Sequence, residues 1–268
     1  ADKDPSAAVV AIHGLSGAAE DFEPLGSFFS GKGISVVSYN LRGMGKDPRV
    51  DRRGDIRNPM HWLEDLDRVF DWVETQYPDT PTVLLGESLG ALIGLEWVAS
   101  EPFRQERVAG VVLSSPVVEL TGELPWWQDW MARFFLWVAP GKKLDLGKLG
   151  KDSEQADPRV TRDDAYHQYL KVAPHRIEAF SLRMLKGIVT LVEGSSEALA
   201  RVEKPLLILY AEHDIFVKPE AIRAFVEKQA HPSPEMAYFP EAYHLLFHDP
   251  DTPEVLARVQ AWLRHQVY

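Results

Sequence analysis

Six short apolar runs, each closed by a small or polar turn, leave this chain few architectures to choose from. Residues 7–12 (AAVVAI) end in His13-Gly14, and 34–41 (ISVVSYNL) end in Arg42-Gly43. Residues 82–85 lead into Gly86, and 108–113 (VAGVVL) lead into Ser114-Ser115-Pro116. Residues 206–210 (LLILY) lead into Ala211-Glu212-His213-Asp214, and 236–239 form a weaker sixth run. Runs rich in Val, Ile and Leu without alternation suit strands buried on both faces of a parallel sheet. Helical patterns lie between them. Over 60–77, Trp62, Leu63, Leu66, Val69, Phe70 and Val73 repeat at helical spacing behind an Asn58-Pro59 start. Residues 89–99, 219–229 and 253–266 also read as helices. Strands alternating with helices predict an α/β fold with a mainly parallel sheet.

The alternation breaks between Glu119 and Arg201, which offer helical patterns and no strand candidate. The predicted organisation is a core of 1–118 and 201–268 carrying a helical cap insertion at 119–200. Composition narrows the function classes. The chain has 268 residues, no Cys, and a formal charge of −11. Absence of Cys excludes disulfides, thiolate metal sites and Cys nucleophiles. So acidic a chain is a poor partner for nucleic acid or anionic headgroups. No run approaches the roughly 18 apolar residues of a spanning helix. Ala1-Asp2-Lys3-Asp4-Pro5 lacks the apolar region of a signal peptide. The missing initiator Met suggests trimming. The compartment is open, with a cytoplasmic setting favoured over a processed secreted form.

Chemistry concentrates in Gly86-Glu87-Ser88-Leu89-Gly90, a G-x-S-x-G between a strand and a helix. Small neighbours let the turn close, so that the serine oxygen projects into a cleft, with helix N–H groups aimed at it. A serine hydroxyl needs a base. His244, after the last strand candidate, is the best placed of nine histidines. His248 is its rival, and the H-x-x-x-H they form lacks the adjacent Glu and third ligand of a zinc site. Asp214, after the fifth strand, is the expected acid, with Glu212 the alternative. The order Ser88, Asp214, His244 is that of one particular class of serine hydrolase folds. The expected oxyanion donors are the backbone amides of Leu89 and of Leu15, in the His13-Gly14-Leu15-Ser16-Gly17 loop. The His13 side chain reads as structural. Glu87 attracts no functional reading.

The chain resembles the α/β-hydrolase fold enzymes, and within them the monoacylglycerol lipase and lysophospholipase group. The resemblance rests on HGLSG at 13–17, LRGMGK at 41–46, LLGESLGALIGL at 84–95, VVLSSP at 111–116, LLILYAEHDIFV at 206–217 and AYHLLFHD at 242–249. It implies nucleophile Ser88, acid Asp214, base His244, oxyanion amides Leu15 and Leu89, and a cap over the acyl site. It also implies an antiparallel hairpin ahead of the His-Gly strand. Only six residues precede Ala7, so that hairpin is expected to be missing here.

Within the cap, 124–138 (LPWWQDWMARFFLWV) is unusually aromatic. On a helical wheel Trp126, Trp130 and Trp137 fall close together, beside Trp127, Met131, Phe134, Phe135 and Val138, and Trp126, Trp127, Trp130 and Phe134 are the candidate substrate contacts. They read either as a face buried on the core or as a lid that lines the acyl pocket and touches a lipid surface transiently. A hydrophobic cap over a serine favours a small-molecule ester with an apolar acyl chain. Monoacylglycerol is the substrate the resemblance implies, with no metal or organic cofactor. The oligomeric state is not indicated. A thioesterase, a carbon–carbon hydrolase or a perhydrolase would share every catalytic residue, and a non-catalytic binding module could share the fold. Dehalogenases and epoxide hydrolases need a carboxylate where Ser88 stands.

Overall fold

All six apolar runs are strands of one sheet in the computed structural model, which describes residues 4–119, 136, 138–145, 159–227 and 233–267. In chain order the strands are β1 (Ala7–Ile12), β2 (Ile34–Tyr39), β3 (Thr82–Glu87), β4 (Gly110–Ser114), β5 (Lys143–Asp145), β6 (Ala179–Ser181), β7 (Leu206–Ala211) and β8 (Glu235–Phe239). The main sheet is wholly parallel with order β2-β1-β3-β4-β7-β8. The α-helices, numbered along the described residues, are α1 (Glu23–Phe29), α2 (Met60–Gln76), α3 (Leu89–Ser100), α4 (Pro102–Glu106), α5 (Asp164–Val172), α6 (Leu182–Arg201), α7 (Pro219–Glu227) and α8 (Thr252–Gln266).

Because successive strand residues point to opposite faces, each run feeds two cores. Val9, Ala11, Val83, Leu85, Val112, Leu207 and Leu209 meet Leu25 and Phe29 of α1 and the apolar side of α8. Ala8, Val10, Ile12, Leu84, Val111, Leu113 and Ile208 meet α2, α3, α6 and α7. This double coverage is why the runs show no polar alternation. The Asn58 side chain accepts a hydrogen bond from Met60 N–H (3.0 Å), fixing the start of α2 where the sequence placed it.

Trp262 of α8 is buried against Gly110, where a Cβ would come within 2.6 Å of the indole. Trp262→Ala is expected to destabilise the fold by about 3–5 kcal/mol, read as a lowered urea midpoint.

Two features of the stretch 119–200 depart from the sequence reading. First, β5 and β6 pair antiparallel where no strand was expected. Three residues are too few to show a period. Second, α6 falls inside the expected insertion yet packs along α3, and Met184, Leu191, Val192, Ala198 and Leu199 join the main core. An amphipathic pattern declares an apolar face without naming its partner. The aromatic segment with Trp126, Trp127, Trp130 and Phe134 lies outside the described residues.

The topology locates the site. β1 has β2 on one side and β3 on the other. The helix after β1 packs on one face of the sheet and the helix after β3 on the other. The chain therefore diverges at the carboxyl ends of β1 and β3, the place where open α/β sheets form their binding crevice.

Candidate active site

Ser88 joins β3 directly to α3 with φ 55° and ψ −117°. A non-glycine residue at positive φ is strained, and such strain persists only where surrounding structure imposes it. The two glycines of the motif explain how the turn closes. A Cβ on Gly86 would lie 2.4 Å from the Gly90 carbonyl oxygen, and one on Gly90 would lie 2.1 Å from the Ile12 carbonyl oxygen. Either side chain would push α3 off the sheet. Ser88 N–H donates to the Ser114 carbonyl (2.9 Å), tying the turn to β4. Leu89 is the first helical residue, so its N–H has no intrahelical acceptor.

The loop after β1 lies against this turn. A Cβ on Gly14 would sit 3.1 Å from Ser88 Cβ and 3.7 Å from Ser88 Oγ. Gly17 N–H donates to the Gly14 carbonyl (3.1 Å), closing the loop around Leu15. His13 is fully occupied. Its Nδ1 bonds the Gly14 carbonyl (2.9 Å), and its Nε2 accepts from Leu41 N–H (3.0 Å). Burial pushes the imidazole down to about 4, so it stays neutral and shapes the loop.

Asp214 and His244 come from the ends of β7 and β8. His244 Nδ1 lies 2.7 Å from Asp214 Oδ2, with both side chains almost wholly buried. Asp214 Oδ1 accepts from the N–H groups of Phe216 (2.8 Å) and Val217 (3.3 Å), so the carboxylate is held from both sides. The Phe216 ring packs edge-on against the imidazole at 4.7 Å. Among the described residues no hydrogen bond joins Ser88 Oγ to His244. Catalytic contacts commonly tighten only when substrate binds.

The rivals are engaged elsewhere. Glu212 is exposed and bonds the Tyr238 hydroxyl. His248 Nε2 bonds the Asp21 carbonyl (2.7 Å), and its ring stacks on Tyr166 at 3.8 Å. Among the described residues, no group of three His, Cys, Asp or Glu side chains is arranged to hold a metal ion.

No sequence pattern announced the strap that runs over this end of the sheet. Val160 accepts from Leu245 N–H (2.9 Å), and Arg162 bonds the buried Asp249. Ile177 N–H donates to Ser16 Oγ (2.8 Å), and His175 lies beside Glu20 and Asp21. Residues 159–178 thus bridge the loop after β1 and the loop that carries His244. Their partners are scattered along the chain, so no local pattern could announce them. Also unannounced was the burial of Glu87, whose carboxyl is pushed up to about 8 by desolvation.

Comparison with known proteins agrees with this geometry. The chain is 26% identical over 261 residues to phospholipase YtpA of Bacillus subtilis, covering 96% of this chain and 95% of that protein. It is 25% identical to the monoacylglycerol lipase of Mycolicibacterium smegmatis, covering 98% and 89%. The crystal structure of Paleococcus ferrophilus monoacylglycerol lipase superposes with a TM-score of 0.82 at 23% identity, covering 98% of this chain and 96% of that one. The family model described as serine aminopeptidase, S33 (Hydrolase_4) matches residues 3–251, and the chain belongs to that family of α/β-hydrolase fold.

Proposed function

We propose that the chain is a serine hydrolase of lipid monoesters, with monoacylglycerol as its substrate, acting through Ser88, Asp214 and His244. The observation that carries this reading is the buried His244–Asp214 pair at the same end of the sheet as the forced turn bearing Ser88. In the proposed reaction Ser88 Oγ attacks the ester carbonyl carbon as His244 Nε2 takes its proton. The oxyanion rests on the amides of Leu15 and Leu89. The imidazolium then gives its proton to the departing alcohol, leaving an acyl group on Ser88. Water attacks that acyl group with His244 again as base, releasing the fatty acid and returning the proton to Ser88.

The lipid preference is supported by the curated relatives, one named a phospholipase and the other a monoacylglycerol lipase. Trp126, Trp127, Trp130 and Phe134 are proposed to line the acyl chain from the aromatic segment at 124–138 and to make the transient contact with a lipid surface. The family's description names an aminopeptidase, and the same acyl-transfer machinery could in principle cleave an amide. The test therefore spans both bonds. A fluorophosphonate should label Ser88, found by peptide mapping. In a panel of glycerol, phosphocholine and CoA acyl esters and amino-acyl anilides, the monoacylglycerols should give the highest kcat/KM. Failure to label Ser88 would sink the mechanism. Faster turnover of anilides or CoA esters would replace the substrate.

A further inference from the structure

Glu87 is the last residue of β3 and immediately precedes the proposed nucleophile. Alternation turns its side chain to the face of Val83 and Leu85, where Phe22, Leu246 and Phe247 pack. It is 3% exposed, and its Oε1 is buried without a hydrogen-bond partner. Phe247, three residues beyond His244, packs on that same face, and its backbone amide acts on the carboxyl. Across the sheet Glu87 pairs in register with Ser114, whose Oγ is likewise buried without a partner. Among the described residues, the titratable groups whose charge bears on Glu87 are Asp21, from the turn before α1, Asp214, from the loop after β7, and Tyr166 of α5. None of them supplies positive charge.

We propose that Glu87 is a positioning residue, a neutral buried acid that ties the turn of Ser88 to the loop of His244 and disables the site when it ionises. This rests on the reading of Ser88 as nucleophile. A protonated carboxyl can accept a hydrogen bond through its carbonyl oxygen and keeps an O–H to donate. A carboxylate has no donor. It would also be an unpaired buried charge facing Asp21 and Asp214, next to the serine whose attack puts negative charge on the substrate's carbonyl oxygen. Burial first, then the charge of Asp21, pushes the carboxyl up to about 8. The value is raised in the folded state, so the native protein binds the extra proton. The stability this contributes is complete below the ordinary carboxylate range and is lost as pH climbs to about 8.

The test measures kcat from pH 6 to 10 on a short p-nitrophenyl ester, for the wild type, Glu87→Gln and Glu87→Ala. Fluorophosphonate labelling is run alongside. In the wild type kcat should fall by about tenfold per pH unit above about pH 8, while circular dichroism shows the protein still folded. Glu87→Gln cannot ionise yet keeps a donor and an acceptor, so its kcat should show no such limb. Glu87→Ala should lose at least about tenfold in kcat with KM within about twofold, since it removes positioning and not substrate contact. If Glu87→Ala does not fold, Glu87→Gln decides alone. An unchanged alkaline limb in Glu87→Gln, with Ser88 labelled normally, overturns this inference and leaves the function reading intact. A wild type that is not labelled at Ser88 overturns both.

Discussion

Ser88→Ala is expected to lower kcat on a soluble ester by on the order of 10⁶, while the protein stays folded. The loss is so large because the serine oxygen is the group that forms the covalent intermediate. Without it, His244 and Asp214 have no proton to move. Some catalysis over water should remain, since the amides of Leu15 and Leu89 would still receive a developing oxyanion. Stability should hardly change. Alanine keeps a Cβ at φ 55°, so the turn remains as strained as before. Ser88→Gly would differ, because glycine accepts positive φ without penalty; it should raise the melting temperature while being equally inactive. Steady-state kinetics with thermal melts on both variants check this pair of outcomes. Retention of more than a tenth of the wild-type rate by Ser88→Ala would end the assignment of Ser88.

The readable parts of this molecule were those whose physics is local. Strands covered on both faces are apolar, and six largely apolar runs are the six strands of the sheet, off by at most two residues at any end. The Gly86 and Gly90 pattern was readable because the turn leaves no room for a Cβ at either position. What the sequence hid has no local signature. The seven-residue α1 has two buried side chains, Leu25 and Phe29, too few to mark a period. The core role of α6 depends on which surface it meets. The bridge made by 159–178 depends on Ser16, Asp21, Leu245 and Asp249, which stand far apart in the chain. Glu87 is the sharpest case. A glutamate is among the residues least expected to be buried, and its place was settled by the strand's alternation and by the loop of Phe247 closing over it.

Asp214→Asn separates an acid that orients the base from one that merely fills space. Asp214 Oδ2 accepts from His244 Nδ1, while Oδ1 is held by two backbone amides. Asparagine has the same shape, and its carbonyl oxygen would stay on those amides as the one acceptor it has left. Its NH₂ would then face Nδ1. Two donors cannot share that contact, so the imidazole would move its proton to Nε2. Nε2 is the nitrogen that must be free to accept from Ser88. The expected result is a fall in kcat of about 10⁴ with little change in KM, since tautomer and imidazolium stabilisation are both lost while the pocket is intact. Glu212→Gln is the control. Glu212 is exposed and bonded to Tyr238, so its loss should change kcat less than about twofold. If Glu212→Gln were instead the inactive variant and Asp214→Asn kept more than a tenth of the rate, the acid would have to be reassigned to Glu212. The buried contact between Asp214 and His244 would then have only a structural role.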